Sequence, residues 1–373
     1  MFKDIVGQDD VKKQLIASAR SGKVAHAQLL CGPEGVGKLS LAIAYAQYLN
    51  CLNPSETDAC GTCASCVKYE KLAHPDLHFV FPIVQKKQQK KEVCDDYMGE
   101  WREMIHQSPY FNLSQWLAHI DAENSQGLIY SKESNEIIRK LSLRIYEAKY
   151  KVMIIWLPER MNDECSNKLL KILEEPMGTT VFLLVSNSPD KVIATILSRA
   201  QRINIHAVTQ EAIVENLTTQ YHIDSEEAKN VAHISKGSYL QAIQHIRLNE
   251  EHKFFLDLFI GMMRASYARN IKEIRNIADK ISTIGRERQK SFLSYAQNMV
   301  REYFVSNLQQ EEMVYLTREE SAFGVRFAPF INERNIIDFM DELALAERHI
   351  EQNVNAKMVF FDLCLKNTML LKR

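Results

Sequence analysis

Residues 26–38 read HAQLLCGPEGVGK, and this stretch decides the fold of the first part of the chain. Its apolar beginning, HAQLLC, predicts a short buried strand, and the segment that follows it, LSLAIAYAQYLN, has the apolar spacing of a helix. Gly32, Gly35, Gly37 and Lys38 complete the pattern G-x-x-x-x-G-K of a phosphate-binding loop. A strand, a glycine loop and a helix in this order predict the opening of a parallel α/β unit.

Apolar, β-branched runs alternate with helical patterns over the next part of the chain. Strands are predicted over residues 74–83, 151–157, 180–186 and 202–206. Helices are predicted over residues 9–20, 134–146, 163–175 and 190–197. Because the strands are apolar on both faces, they predict a parallel sheet that helices cover on both sides.

The strand signals stop after about residue 208, and this change predicts three domains. Residues 1–208 form the α/β domain, residues 209–248 read as three short helices, and residues 249–373 as a longer helical block. Residues 83–130 interrupt the first domain as an insertion of helical fragments around two tryptophans, without evident chemistry. Within it, the polar stretch 85–91, QKKQQKK, predicts an exposed loop.

The composition of the 373 residues excludes several classes of protein. The chain is 46% hydrophobic and 25% charged, with 46 basic and 47 acidic side chains and a net charge of −1. These values exclude a wholly disordered or fibrous chain, and they offer no overall attraction to nucleic acid or lipid. No apolar run approaches the ~20 residues of a membrane span, and the first residues lack an apolar signal core. We therefore expect a soluble cytoplasmic protein without membrane contact.

Four of the eight cysteines fall within sixteen residues, at Cys51, Cys60, Cys63 and Cys66. In a reducing cytosol such a cluster favours a metal site over disulfides. Two overlapping C-x2-C steps and a fourth thiol fit tetrahedral zinc, and four thiolates leave no open position for catalysis. An iron–sulfur cluster needs the same ligands, but no redox partner motif accompanies them. The pattern predicts a structural zinc knob at residues 51–66.

The phosphate loop lacks the groups that hold magnesium and activate water. The position after the lysine, where a Ser or Thr hydroxyl would bind magnesium, is Leu39. The strand at 151–157 ends in Trp156 and Leu157, where a hydrolytic site would carry acids, and Glu159 beyond them reads as a solvated loop residue. We expect a loop that still has the shape for phosphate but neither binds magnesium nor hydrolyses ATP; whether it holds a nucleotide stays open.

Four stretches together resemble the bacterial clamp-loader branch of the AAA+ proteins. They are FKDIVGQDDV at 2–11, HAQLLCGPEGVGK at 26–38, the four-cysteine spacing, and residues 167–200 from NKLLKILEEP to TILSRA. The resemblance implies an AAA+ phosphate-loop domain with an inserted zinc knob, a small helical lid at 209–248, and an all-helical collar for oligomerisation at 249–373.

The departures from the family pattern imply the member of the branch without its own ATPase. The acidic pair of the family falls on Trp156 and Leu157, and the arginine of its second sensor falls on Leu240. Arg199 matches the arginine of the family's Ser-Arg-Cys motif, with Ala200 in place of the cysteine. On the residues alone Arg199 is an ordinary surface or phosphate-binding arginine; the resemblance implies a finger that acts in trans on a neighbouring ATPase.

The resemblance also implies partners. They are gamma- or tau-type ATPase subunits and a delta subunit in a hetero-pentameric loader, with the sliding clamp and primed DNA reached through the complex. Any DNA contact is expected to be to phosphates. Two alternatives stay open at this point: an active gamma-type loader ATPase, and a zinc-dependent nucleic-acid binding module. Against the second, the knob CLNPSETDACGTCASC contains no basic residue.

Overall fold

Five parallel strands form one sheet, in which neighbouring strands lie side by side in the order β2-β3-β4-β1-β5. The strands are β1 (Ala27–Cys31), β2 (Leu77–Val80), β3 (Lys151–Trp156), β4 (Thr180–Ser186) and β5 (Gln201–Asn204). In register, Leu29 of β1 lies beside Leu184 of β4, and Ile154 of β3 beside Leu183 of β4. Every residue of β1, β3 and β4 is buried, as expected for a parallel sheet that is covered on both faces. The predicted α/β fold class is confirmed.

The structure is a computed structural model that describes residues 1–86, 91–123, 125–176, 178–307 and 316–372, without the side chains of Asn249 and Arg318. The chain divides into two compact units, Met1–His245 and Ile246–Arg373. The finer division into three domains stays a prediction. Residues 87–90 of the loop predicted at 85–91 lie outside the described residues.

The helices of the first unit follow the predicted alternation with strands. They are α1 (Asp9–Arg20), α2 (Lys38–Leu49), α3 (Ala64–Glu70), α4 (Met98–Gln107), α5 (Leu113–His119), α6 (Ser131–Ser142), α7 (Asp163–Glu174), α8 (Ala194–Leu197), α9 (Gln210–Gln220) and α10 (Ser225–Ile234). A cap supports the start of α7, where Asn162 Oδ1 accepts the amide of Cys165 at 2.9 Å. The third helix of the predicted 209–248 group is longer than predicted, because α11 (Tyr239–Ala268) continues without a proline to end it.

The insertion packs against the sheet through an aromatic cluster. Trp101 of α4 stacks on Phe81 with ring centroids 4.0 Å apart and an interplanar angle of 11°. Trp116 of α5 meets Trp101 edge to face at 5.1 Å, and its indole N–H donates to the Pro82 carbonyl at 2.7 Å. Helical fragments around both tryptophans are present as α4 and α5, whereas the bounds of the insertion at residues 83–130 stay a prediction.

The second unit is helical throughout its described part. Its further helices are α12 (Ile271–Ser282), α13 (Arg286–Asn307), α14 (Arg318–Phe327), α15 (Ile336–Glu351) and α16 (Ala356–Leu370). Aromatic rings fill its core; Phe259 and Tyr303, both without solvent exposure, lie against Phe327. Within the ranges that the structure describes, no helix is long and apolar enough to cross a membrane.

Candidate nucleotide site and thiolate cluster

The phosphate loop has the backbone shape that its glycines predict. Gly35 and Gly37 adopt the left-handed conformation, with φ of 82° and 87°, which side chains other than glycine rarely accept. Gly37 then caps the N-terminus of α2, which begins at Lys38. The structure therefore brings Gly32, Gly35, Gly37 and Lys38 together between β1 and α2.

The ammonium group of Lys38 is bound by the loop itself. Its Nζ donates to the Gly32 carbonyl at 2.8 Å and also to the carbonyl of Pro33. The residue is only 4% exposed, and this burial lowers the pKa of Lys38 from 10.5 to about 8, against the opposing charges of Glu159 and Glu34. The cation is thus desolvated and bonded to carbonyl groups of the loop.

The side chains that follow the lysine offer no ligand for magnesium. A small pocket lies beside the phosphate loop, and Leu39 lines it with an apolar side chain. The hydroxyl of Ser40, one position later, donates to the carbonyl of Pro109 at 3.2 Å. The nearest hydroxyl in sequence is therefore committed to the insertion.

Trp156 closes the end of β3 with an apolar ring. It is 4% exposed and lies 5.2 Å from the ring of Phe111 and 5.3 Å from that of Trp101. Leu157 after it is also buried. The acids of a hydrolytic site are replaced by part of the aromatic cluster.

Glu159 is not the solvated loop residue that the sequence suggested. Its Oε1 accepts the amides of Asn187 at 2.9 Å and of Ser188 at 3.1 Å. Its Oε2 is buried, with no hydrogen-bond partner among the described residues. The expectation was wrong because the loop after β4 folds over the carboxylate and uses it to satisfy two backbone N–H groups.

The connection between α4 and α5 covers the same pocket, which sequence reasoning missed. Pro109, Tyr110 and Phe111 line it beside the loop and Trp156. The hydroxyl of Tyr110 accepts the Val6 amide at 3.1 Å, and burial raises the pKa of Tyr110 to about 12. The space left among these groups is about 30 Å³. The pair of adjacent aromatics was visible in the sequence, but nothing in it showed that they would reach a loop seventy residues earlier.

Leu240, at the position of the expected sensor arginine, lies against the loop at Gly35. Its amide donates to the Gly35 carbonyl at 3.2 Å. A Cβ atom at Gly35 would lie 2.7 Å from that of Leu240 and 2.2 Å from Ser238 Oγ. The loop therefore touches this segment directly, through an apolar side chain.

The four predicted cysteines converge. The sulfur atoms of Cys51, Cys60, Cys63 and Cys66 all lie within 4.8 Å of one another, and those of Cys60 and Cys66 are 3.9 Å apart. Tetrahedral zinc at a Zn–S distance of about 2.3 Å requires sulfurs about 3.8 Å apart. Gly61, with φ of 74°, makes the tight turn between the second and third of them. The donor set and its spacing fit a closed zinc site.

Backbone amides support the sulfur atoms. Cys60 Sγ accepts the amide of Cys63 at 3.4 Å, and Cys63 Sγ accepts that of Cys66 at 3.5 Å. The hydrogen bond that the Cys63 amide donates lowers the pKa of the Cys60 thiol to about 6. Next to the cluster, the Asp58 carboxylate accepts the amides of Phe2 at 3.0 Å and Lys3 at 2.9 Å, so that the cysteine segment holds the N-terminal segment in place.

Arg199 lies just after α8, and its guanidinium group is held at both ends. Nη1 donates to the Thr195 carbonyl at 2.9 Å and to the Ser198 hydroxyl at 3.2 Å, and Nη2 pairs with the carboxylate of Glu174 at the end of α7. The side chain is 34% exposed. The contacts fix its position without burying its charge.

Comparison with known families places these features in context. The sequence model of the family described as "DNA polymerase III, delta subunit" matches residues 7–209. The DNA polymerase III subunit tau of Bacillus subtilis is 26% identical over 247 residues, which are 65% of this chain and 36% of that protein. The DNA polymerase III subunit gamma of Buchnera aphidicola is 24% identical over 335 residues, or 84% of this chain and 80% of the relative.

A third relative carries the remaining subunit name. The DNA polymerase III subunit delta' (delta-prime) of Haemophilus influenzae is 27% identical over 248 residues, which are 66% of this chain and 63% of that protein. The chain thus spans about a third of the tau relative and less than two thirds of the delta-prime relative. The relatives share the family and differ in subunit name.

Proposed function

The chain belongs to the DNA polymerase III delta subunit family, and on this premise we propose that it is a delta-prime-type clamp-loader subunit that does not hydrolyse nucleotide. One observation carries the proposal. Leu39 occupies the position of the hydroxyl that would bind magnesium, and Trp156 that of an acid, in a pocket of about 30 Å³. Phosphoryl transfer in phosphate-loop proteins depends on a magnesium ion held by a hydroxyl and an acid. Neither group is present at those positions.

The other polar groups around the loop do not replace the missing ones. Lys38 is engaged by two loop carbonyls, and Ser40 by the carbonyl of Pro109. Glu159, the acid nearest in sequence to the end of β3, already accepts two amides through one oxygen. Each group therefore has a structural role that opposes recruitment into catalysis.

In this function Arg199 serves a neighbouring ATPase subunit. Its guanidinium is bonded to Thr195, Ser198 and Glu174, but unlike the buried Lys38 it keeps a third of its side chain exposed, where another chain can reach it. Such a finger stabilises the charge that develops on the transferred phosphoryl group. The partners are gamma- or tau-type ATPase subunits and a delta subunit in a hetero-pentameric cytoplasmic loader that places the sliding clamp on primed DNA.

The cysteine cluster has a structural role in the proposal. One zinc ion would be held by the sulfur atoms of Cys51, Cys60, Cys63 and Cys66. The ion would cross-link the knob, and four thiolates would leave it no open coordination position. Through Asp58 the knob orders Phe2 and Lys3 at the start of the chain.

The finger is tested by Arg199→Ala in a loader reconstituted with the gamma-type and delta subunits of the same genome. We expect DNA-stimulated ATP hydrolysis by the complex to fall roughly tenfold or more, because trans arginines of this kind contribute large factors in rate. The matched control is Arg144→Ala, which removes an exposed arginine elsewhere in the first unit. An unchanged rate, with the variant still assembled in the complex, rejects the finger.

The gamma-type ATPase is the second candidate, because the gamma relative aligns with 84% of this chain. The two functions separate in the isolated chain. The delta-prime type predicts no ATP hydrolysis and no magnesium-dependent ATP binding in calorimetric titration. Tight binding that requires magnesium, with turnover that Lys38→Met abolishes, would establish the ATPase instead.

A further inference from the structure

We propose that residues 108–112 of the insertion are a built-in plug, which fills the phosphate-loop pocket and excludes nucleoside triphosphates from a loop that is otherwise shaped to bind them. The inference goes beyond the proposed function, because the absence of catalytic groups prevents hydrolysis but does not by itself prevent binding. It gives the insertion a role that the sequence did not show.

The plug is short and is held at both ends. It is the connection between α4, which ends at Gln107, and α5, which begins at Leu113. The Ser108 amide donates to the Met104 carbonyl at 3.1 Å, and Asn112 Oδ1 caps α5 by accepting the Gln115 amide at 3.0 Å. These helices contact each other through the edge-to-face pair of Trp101 and Trp116 in the aromatic cluster. The segment therefore has little freedom to leave the pocket.

The middle of the plug contacts the loop and the elements on either side of it. The Tyr110 ring lies 4.7 Å from that of Tyr239 at the start of α11, and its hydroxyl accepts the Val6 amide. A Cβ atom at Gly37 would lie 3.0 Å from Tyr110 Cε1, so the ring rests directly on the loop. Tyr110 thus contacts the N-terminal segment, the phosphate loop and α11 at the same time. A ligand bound in this pocket would otherwise have to bridge these three elements.

Two departures from the family pattern also line the space that the plug fills. Phe111 packs on Trp156 with centroids 5.2 Å apart, and Leu39 lines the same pocket. A carboxylate in place of Trp156 would be buried against aromatic rings without a partner. The positions that lack catalytic groups therefore give the plug an apolar seat.

The remaining volume decides against a nucleotide. Pockets for small-molecule ligands measure roughly 300–1,000 Å³, whereas the space here is about 30 Å³, enough for a water molecule or two. The mouth is further closed by Glu34, whose carboxylate accepts from Asn112 Nδ2 at 3.4 Å and from Asn187 Nδ2 at 3.3 Å. A triphosphate would have to displace the plug to enter.

The test removes the two rings from the full-length chain with Tyr110→Ala and Phe111→Ala together. Binding of ATP and of pyrophosphate is measured by calorimetry without magnesium, after circular dichroism has shown that the variant is folded. We expect no detectable binding to the wild type at about 1 mM ligand. The variant is expected to bind with a Kd roughly tenfold or more below that concentration. Adding Lys38→Met to the variant is expected to abolish the binding.

Two controls keep the result specific. Tyr146→Ala removes an exposed tyrosine, 78% accessible, and is expected to leave the chain without ATP binding. If the double variant does not fold, Tyr110→Ala alone is the test, because it leaves the contact between Phe111 and Trp156 in place.

Each outcome decides the inference. A folded variant that binds neither ligand would show that the loop is not competent, and the plug would not be what excludes nucleotide. A wild type that binds ATP as tightly as the variant would also overturn it. Both results leave the non-hydrolysing function standing, since that function fails only if the wild-type chain hydrolyses ATP.

Discussion

The phosphate loop and the cysteine cluster lie in the same unit, and both are strong motifs, but their surroundings differ. The four sulfurs lie within 4.8 Å of one another, as the ligand atoms of one metal ion would, and backbone amides donate to two of them. The phosphate loop keeps its left-handed glycines, yet tyrosine, phenylalanine and tryptophan rings line the space beside them. The difference teaches that a motif predicts backbone shape, whereas distant residues decide whether a ligand has room.

The largest effect should come from the cysteine cluster. Cys63→Ala removes one of the four proposed zinc ligands, and because structural zinc contributes binding free energy of order 10 kcal/mol to folding, we expect loss of bound metal and a marked drop in thermal stability. Zinc content and thermal unfolding of the purified chain measure both. Cys364→Ala, at a buried thiol far along the chain, serves as the control that keeps its zinc. A variant that retains full stability without metal would show that the cysteine cluster does not need a metal ion to hold its structure.

The next effect tests whether an acid can be restored at the end of β3. Trp156→Asp replaces a buried ring with a carboxylate next to Phe111 and Trp101. We expect destabilisation of roughly 3–5 kcal/mol from the cavity alone, and more from the unpaired charge, without any gain of ATPase activity. Urea denaturation measures the loss, with Tyr146→Asp at an exposed position as the control, for which about 0.5 kcal/mol or less is expected. Magnesium-dependent ATP binding by a stable variant would contradict the plug.

The sequence allowed prediction of what depends on local pattern. The apolar runs at 151–157 and 180–186 predicted two buried parallel strands, and Gly32, Gly37 and Lys38 predicted a phosphate-type loop between a strand and a helix, because such signals reflect the backbone of neighbouring residues. The cover of the pocket by Tyr110 is a contact between segments far apart in the chain. Periodicity carries no information on such contacts, so the sequence predicts a region without chemistry there.

Glu159 shows the same limit on a smaller scale. In sequence it is an acid in a loop, and acids in loops are usually solvated. Its surroundings depend on the loop after β4, which supplies the amides of Asn187 and Ser188. Only the sheet order, which sets β3 beside β4, brings that loop to the carboxylate.

A smaller effect should appear in the pH dependence of stability. Because burial lowers the folded pKa of Lys38 to about 8 from 10.5, the unfolded chain binds more protons between these values, and stability rises as the pH increases through this window. Relative to Lys38→Met, we expect the wild type to gain about 2 kcal/mol between pH 7 and pH 9.5. The difference between two urea denaturation series isolates this group, since other titrations cancel. Parallel pH curves would mean that the ammonium is not desolvated in the loop.

The smallest effect compares one hydrogen bond in each region. Tyr110→Phe keeps the ring of the plug but removes the oxygen that accepts the Val6 amide at 3.1 Å. Since that amide is buried, we expect a loss of about 1–2 kcal/mol in unfolding free energy, with ATP binding still absent. Tyr48→Phe removes the hydroxyl that donates to the Ser55 carbonyl at 2.9 Å beside the cysteine cluster. Because Ser55 is exposed and water can replace the donor, about 0.5 kcal/mol is expected there.

Urea midpoints of the two tyrosine variants, measured side by side, decide this comparison. A larger loss at Tyr110 than at Tyr48 supports a plug that is bonded into the fold, because only a buried donor left unpaired carries the full desolvation cost. Equal losses would mean that water reaches the Val6 amide and that the pocket is more open than the 30 Å³ between its walls. If Tyr110→Phe also gained ATP binding, the hydroxyl rather than the ring would be what holds the segment in the loop.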